Sequence, residues 1–313
     1  MAPGLLCLVV FLGPGLCRGQ LPPEPVAPDS FRVLSWNIYM LPPLAKFTGK
    51  RRRATAIGEW LKVQAEKGIV YDMLLLQEAF HGGARKKLLA EIGASYPYRY
   101  GPVFRKGCKA SSGLWVLARR PFQVVDSIEF RRKAGLDNRL ARKGALLIAT
   151  RWQGRRLQLL NTHMNAGGPV PIRMAQARAI GRLLQRHRQP EAWQLACGDF
   201  NTRMRRPAVY AQLLELLEMP GFRPAGPILF TSETMGNDLR RNRRPSHSTI
   251  DYIFIRPPRQ FGAAHRAPRV QTRTRILRPR RPWGAHRSAL SDHNAVEAVL
   301  FESAPTPATP PVH

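Results

Sequence analysis

Six short segments of this chain share one pattern, a run of apolar residues that stops at a carboxylate, an amide or an imidazole. They are Ser35-Trp36-Asn37, Gln77-Glu78 after Leu74-Leu75-Leu76, Asn161-Thr162-His163-Met164-Asn165, Gly198-Asp199-Phe200-Asn201, Thr249-Ile250-Asp251-Tyr252 and Ser291-Asp292-His293. A charged group directly after apolar residues is costly unless a metal ion or a hydrogen-bonded partner compensates it. One such group has an ordinary explanation, a strand-end carboxylate facing water or a satisfied core histidine. Six in one chain, all with hard oxygen or imidazole groups, point to a shared site. Carboxylates and carbonyl oxygens without a Cys/His cage favour Mg²⁺, with Mn²⁺ or Co²⁺ left open, and the chemistry is metal-assisted hydrolysis of a phosphoester. Two widely spaced histidines suit a general base and a stabiliser of developing negative charge. There is no nucleophile elbow, Walker loop, His-Glu-x-x-His or paired-Cys motif, so nucleophilic-serine, NTPase and zinc readings lack support.

The elements that must position these residues are short. Apolar runs predict strands over 31–38, 71–78, 112–118, 122–129, 144–152, 156–162, 193–199, 249–255 and 295–301. Helical periodicity predicts helices over 51–66, 84–92, 172–187 and 207–219, with Pro171 and Pro207 near first turns, where a missing N–H is tolerated. The alternation never pauses for a linker between 31 and 301, which predicts one α/β catalytic domain with its strands in more than one sheet. Residues 20–30 read as a Pro-rich segment and 302–313, rich in Pro, Thr and Ala, as a disordered tail.

In this order and spacing the six segments resemble the endonuclease/exonuclease/phosphatase superfamily over residues 31–301. The resemblance implies an α/β, DNase-like four-layer sandwich, two packed mixed β-sheets flanked by helices, with a Mg²⁺ site at the strand ends. Carried over by motif, it implies Glu78 as principal metal ligand, with Asn37 beside it and Asp292 in the same network. It implies His293 as the general base, Asp251 as the group that orients it, and Asp199 and Asn201 as groups that position water, phosphate and leaving oxygen. His163 matches the imidazole that steadies charge on the phosphoryl oxygens.

Within the superfamily, three segments are similar to secreted neutral sphingomyelinases. They are Ala79-Phe80-His81-Gly82-Gly83 after Glu78 with Tyr96-Pro97-Tyr98 beyond, Asp137-Asn138 with Arg142-Lys143-Gly144, and Thr162-His163-Met164-Asn165 followed by Ile172-Arg173 and Gln176. Ala79-Phe80 stands where pancreatic-type DNases usually carry an Arg. Ser248-Thr249-Ile250-Asp251-Tyr252 stands where inositol polyphosphate phosphatases need Pro-x-Trp-Cys-Asp-Arg. The implied activity is hydrolysis of sphingomyelin, or a related choline phospholipid at a membrane surface, to ceramide and phosphocholine. Tyr39, Phe80 and Tyr98 are candidates for a choline pocket. The rivals are a secreted basic DNase acting on nucleic acid and an inactive heparin- or membrane-binding protein of the same fold. The aromatic hairpin of bacterial sphingomyelinases is replaced by an Arg/Pro-dominated segment around Trp283. Their loop cysteine pair is not reproduced, so no disulfide is expected by analogy.

Charge and ends complete the reading. Of 313 residues, 50 are Lys or Arg and 20 are Asp or Glu, a formal charge of +30, which invites a polyanion. From Arg256 to Arg287 there are ten Arg, two His and no acid, so polyanion binding is expected to fall on that basic, Pro-punctuated arm, with a disordered basic loop as the alternative. An apolar stretch from Leu5 to Leu16, with small residues at Cys17 and Gly19, predicts a signal peptide over 1–19 and a secreted, extracellular protein. That leaves Cys108 in a Lys-rich loop and Cys197 as a small core residue.

Overall fold

A computed structural model describes residues 30–42, 48–104, 111–131, 141–240, 244–259 and 270–302. The expectations for a signal over 1–19, for residues 20–29, Cys108, Asp137-Asn138 and the tail from 303 onward lie outside the described residues. In chain order the elements are β1 (Ser30–Met40), α1 (Lys50–Glu66), β2 (Met73–Ala79), α2 (Gly82–Ile92), β3 (Tyr98–Tyr100), β4 (Trp115–Ala118), β5 (Gln123–Glu129) and β6 (Gly144–Trp152). They continue as β7 (Arg155–His163), α3 (Val170–Arg186), β8 (Trp193–Asp199), α4 (Pro207–Leu217), β9 (Ser232–Glu233), β10 (His247–Ser248) and β11 (Asp251–Arg256). The last are β12 (Val270–Leu277), β13 (Arg280–Gly284), β14 (Arg287–Ala289) and β15 (Ala295–Glu302).

Strand alternation sorts the apolar side chains into layers. In β1 and β2, Leu34, Trp36, Ile38, Leu74 and Leu76 pack outward against Ile57 and Leu61 of α1 and Leu88 of α2. The intervening Phe31, Val33, Met73 and Leu75 face the second sheet, meeting residues such as Leu146, Ile148, Leu159 and Phe254. Ala177, Ile180 and Leu184 of α3 and Leu213 and Leu217 of α4 cover that sheet's outer face. The result is the expected four-layer sandwich. Its sheets run β12-β15-β1-β2-β4-β3 and β11-β8-β7-β6-β5, with two short ribbons, β9-β10 and β13-β14. Each sheet holds one parallel pair, β1 with β2 and β7 with β8, which sends two strands that carry candidate site residues the same way in each layer. Strands β1 and β15 pair antiparallel, with Ser30 opposite Phe301.

Two expectations are corrected. The arm from Arg256 to Arg287 is not simply a basic loop: its described part supplies strand β12, which extends the first sheet beyond β15, and the β13-β14 hairpin. Its arginines also lack local acids but find distant ones. Arg275 pairs with Glu297 at 2.6 Å, Arg278 with Glu233 at 2.7 Å and Arg281 with Glu59 at 2.5 Å, while Arg256 reaches Gln194 and Glu218. The tail boundary also shifts, since Glu302 is the last residue of β15 rather than the start of a tail. Cys197 is a buried free thiol in β8, as its apolar surroundings predict.

Candidate active site

Strand register alone aligns much of the site. His163 at the end of β7 pairs with Asp199 at the end of β8, and Asp199 pairs with Asp251 at the start of β11. Three functional groups thus lie side by side on neighbouring strands. In the first sheet, Asn37 of β1 pairs with Gln77 of β2, one residue before Glu78. Glu78, Tyr39 and Asn201 all hold positive φ, at 55°, 51° and 49°. That left-handed region is uncommon for non-glycine residues and concentrates at functional sites.

Buried amides join the two sheets. Asn37 Nδ2 donates to Glu78 Oε1 at 3.2 Å in its own sheet and to Asp199 Oδ2 at 3.2 Å in the other. Gln77 Nε2 donates to Asn161 Oδ1 at 2.8 Å, and Asn161 Nδ2 returns to Leu76 O at 3.2 Å. The last motif docks the same way: Trp36 Nε1 donates to His293 O at 2.9 Å and Ser291 Oγ to Asn37 O at 2.6 Å. Cross-sheet bonds of this kind satisfy groups that would otherwise be buried unpaired.

His293 Nδ1 lies 2.9 Å from Asp251 Oδ2 and 3.9 Å from Asp199 Oδ2. Burial disfavours the charged ring, but Asp251, with Asp292 and Asp199, overcomes it and pushes the imidazole up to about 10. Burial and the neighbouring Asp251 push Asp199 up to about 7. Burial and then Asp292 likewise raise Glu78. His163 goes the other way: burial, Lys143 and His293 hold it well below the usual histidine range. Lys143 Nζ lies 2.9 Å from His163 Nε2, and an ammonium can only donate, so the ring proton belongs on Nδ1. That Nδ1 is buried with no hydrogen-bond partner among the described residues.

The sequence-predicted residues come together as one group, with Asp292 in a particular setting. Its Oδ2 accepts from Arg240 Nη2 at 2.6 Å and Nε at 3.0 Å. Asn201 donates its backbone N–H to Asp199 Oδ1 at 2.9 Å and its amide to Met164 O at 3.1 Å. Glu78 Oε2 is buried and has no hydrogen-bond partner among the described residues. An orphaned carboxylate oxygen beside an amide and further acids fits a hard divalent cation. Among the described residues, three ligand-type groups within 4.8 Å of one another form a different cluster, Asp199, Asp251 and His293. Both Asp251 oxygens face the His293 ring, so that trio has the geometry of an acid–base pair, and the open oxygen belongs to Glu78.

Lys143 and Arg240 are site residues that sequence reasoning did not single out for a role. Lys143 lies just before β6 in the Arg142-Lys143-Gly144 segment that carries the sphingomyelinase resemblance, but no role came with it. Arg240 lies in a loop with no such mark. Of the choline candidates, Tyr39 is within the electrostatic reach of Asp292 and Glu78. The Phe80 ring packs over Gly113. Tyr98 pairs through Ala118 and Met73 to the level of Val33, four residues before Asn37 on β1, and so lies away from the site.

Residues 34–293 match the model of the endonuclease/exonuclease/phosphatase family. The chain belongs to this family. It is 24% identical over 306 residues to a sphingomyelinase C of Leptospira interrogans, covering 88% of this chain and 52% of that protein, so the chain spans about half of that relative's length. It is 23% identical over 300 residues to a phospholipase C of Staphylococcus aureus, covering 85% of this chain and 86% of that one. A mutant of Staphylococcus aureus beta toxin, solved with bound magnesium ions, superposes with a TM-score of 0.70 at 21% identity, covering 88% of this chain and 100% of that one.

Proposed function

We propose that this protein is a secreted, Mg²⁺-dependent phosphodiesterase that hydrolyses sphingomyelin to ceramide and phosphocholine. The observation that carries the reading is the convergence of the Asp251–His293 pair, the unpartnered His163 Nδ1 and the open Glu78 Oε2 in one buried group drawn from both sheets. Relatives named sphingomyelinase C and phospholipase C support the choice of substrate. The apolar Leu5–Leu16 stretch supports export. No helix among the described residues is long and apolar enough to cross a membrane.

Glu78, with Asn37 and Asp292 beside it, would hold the cation. When bound, it supplies positive charge next to the phosphoryl oxygens and counters the carboxylates that keep a proton on His293. With Nδ1 engaged by Asp251, Nε2 of His293 takes the proton from the water that attacks phosphorus. The bond from phosphorus to the primary oxygen of ceramide breaks, that oxygen takes up a proton from solvent so that ceramide leaves as the alcohol, and phosphocholine remains. The Nδ1–H of His163 donates to a phosphoryl oxygen as its charge grows, and Lys143 keeps the proton on that nitrogen. Asp199, anchored by Asn37 and Asn201, positions water and leaving oxygen.

The DNase reading is weaker. The first arginine after Glu78 is Arg85, whose Nη1 is spent on Ala79 O at 2.6 Å and Phe80 O at 2.9 Å. The test is incubation with choline-labelled sphingomyelin liposomes and, separately, with plasmid DNA, each with Mg²⁺ and with EDTA. Metal-dependent phosphocholine release with intact plasmid is the expected result. Nicked plasmid without phosphocholine would overturn the lipid assignment in favour of the nuclease.

A further inference from the structure

A second concavity lies beside the catalytic rim and takes no part in the chemistry above. It is a cleft of about 650 Å³ between the start of α1 and the β13-β14 hairpin, lined chiefly by Lys50, Arg51, Arg52, His81, Trp283 and Arg287. None of its described lining residues is acidic. Arg51, Arg52 and Arg287 are exposed and form no salt bridge among the described residues.

The charge order here runs against helix physics. A helix begins with a partial positive charge and with backbone N–H groups that lack partners, and acids in its first turn stabilise it. Helix α1 begins instead with four consecutive cations, Lys50 to Arg53, has no acid in its first turn and no side-chain cap on Gly49. Arg53 turns inward and is satisfied by Ile38 O at 3.0 Å and Leu290 O at 2.7 Å, and the buried Lys50 donates to Pro42 O at 2.8 Å, which leaves Arg51 and Arg52 exposed at the cleft. The hairpin side adds Arg287, stacked 5.4 Å over the Trp283 ring, which itself sits against Gly49. His81, burdened by burial and then by Lys50 and Arg51, is held below its usual range. Such mutual repulsion in a concave, aromatic-floored site is relieved by one kind of ligand, a compact multivalent anion.

We infer that this cleft is an accessory site for a phosphate-bearing anion, either the headgroup of an anionic phospholipid or a free phosphate ester. His81 is three residues from Glu78, and the carbonyls that hold Arg53 belong to the segments carrying Asn37 and Asp292. A headgroup bound here would set the catalytic rim against the bilayer. That orienting role rests on the lipid reading proposed above, whereas anion binding does not.

The test uses the whole protein and three variants: Arg52→Glu/Arg287→Glu in the cleft, Arg52→Lys/Arg287→Lys as a charge-conserving pair, and Arg178→Glu/Arg182→Glu on the exposed face of α3 in the opposite outer layer. Binding is read by co-sedimentation with phosphatidylcholine vesicles with and without phosphatidylglycerol. It is read also from the amide resonances of Arg51 and Arg52 during titration with glycerol 3-phosphate. Loss of at least about tenfold in affinity for the anionic vesicles in the cleft reversal alone, with the lysine pair and the α3 reversal close to wild type, establishes the lipid source. Unchanged vesicle binding with saturable shifts of both amides establishes the free ester as the source. Equal vesicle loss in the two reversals without amide shifts, or no loss and no shifts, overturns the site. Turnover of a water-soluble phosphodiester by the cleft variant is read in parallel and stays at the wild-type level, so a wrong substrate assignment and a wrong cleft assignment give different results.

Discussion

His163 and His293 approach the same carboxylate oxygen, Asp199 Oδ2, at 3.5 and 3.9 Å, yet their surroundings drive them to opposite protonation states. Burial acts on both rings, and Lys143 beside one and the carboxylates of Asp251, Asp292 and Asp199 around the other decide the difference. In protein stripped of divalent ions, imidazole ¹⁵N spectra near neutral pH are expected to show His293 doubly protonated and His163 neutral with its proton on Nδ1; two neutral rings would contradict this. The linkage to stability follows. Folded His293, at about 10, lies above its ordinary 6.5, so its contribution is complete below 6.5 and is lost as pH rises toward 10. Asp199 acts in the same sense between 3.8 and about 7, because the folded state there favours the neutral acid. Denaturant titrations of the metal-free protein should therefore show stability falling from mildly acidic to alkaline pH, with the upper limb of that fall reduced in His293→Ala. Lys143→Met, by freeing the His163 tautomer, is expected to lower kcat about a hundredfold with little change in KM. A fall confined to KM would count against its role in the chemistry.

At the scale of elements, the fold depends on close backbone approaches that only glycine permits. A Cβ at Gly198, where φ is 138°, would lie 2.0 Å from Thr162 O in the partner strand β7. At Gly181 a Cβ would lie 1.9 Å from Leu216 O, where α3 crosses α4. Gly181→Ala is expected to lower stability by about 1–3 kcal/mol while leaving the active protein's kcat intact, since the helices must separate but no site strand moves. Gly198→Ala should lose both stability and turnover, because Asp199 and the register of β7 and β8 go with it; thermal melts and steady-state kinetics separate the two cases. Elements that bury apolar faces were legible in the chain itself. All nine expected strands and all four helices occur, with boundaries moved by a few residues. The elements missed were those whose burial is borrowed: β12 reads Val-Gln-Thr-Arg-Thr-Arg-Ile-Leu and owes its place to pairing with β15. Glu78, Asp199 and His293 stood out as candidates because an acid or imidazole after an apolar run needs a reason. Arg240 was not, because an arginine among other arginines carries no local sign that a distant Asp292 will claim it.

For the molecule as a whole, several buried acids share one small volume, and this sets its response to metal. A cation that binds only the folded state stabilises it by about 2.7 kcal/mol at a hundredfold excess over Kd. EDTA-treated protein should melt lower than protein in Mg²⁺, reversibly, and Glu78→Gln should abolish most of that increment together with turnover. An unchanged melting temperature and normal activity in Glu78→Gln would remove Glu78 from the metal site.

The antiparallel pairing of β1 with β15 carries one more consequence. Both strands touch the catalytic rim at one end, near Asn37 and just after His293, and come together again at the other as Ser30 beside Phe301. Strands β1 and β15 therefore depart from the pole opposite the candidate site. A fluorescent label, solid support or fused carrier linked through either strand would hang behind the domain like a handle, leaving the edge that carries the candidate site clear.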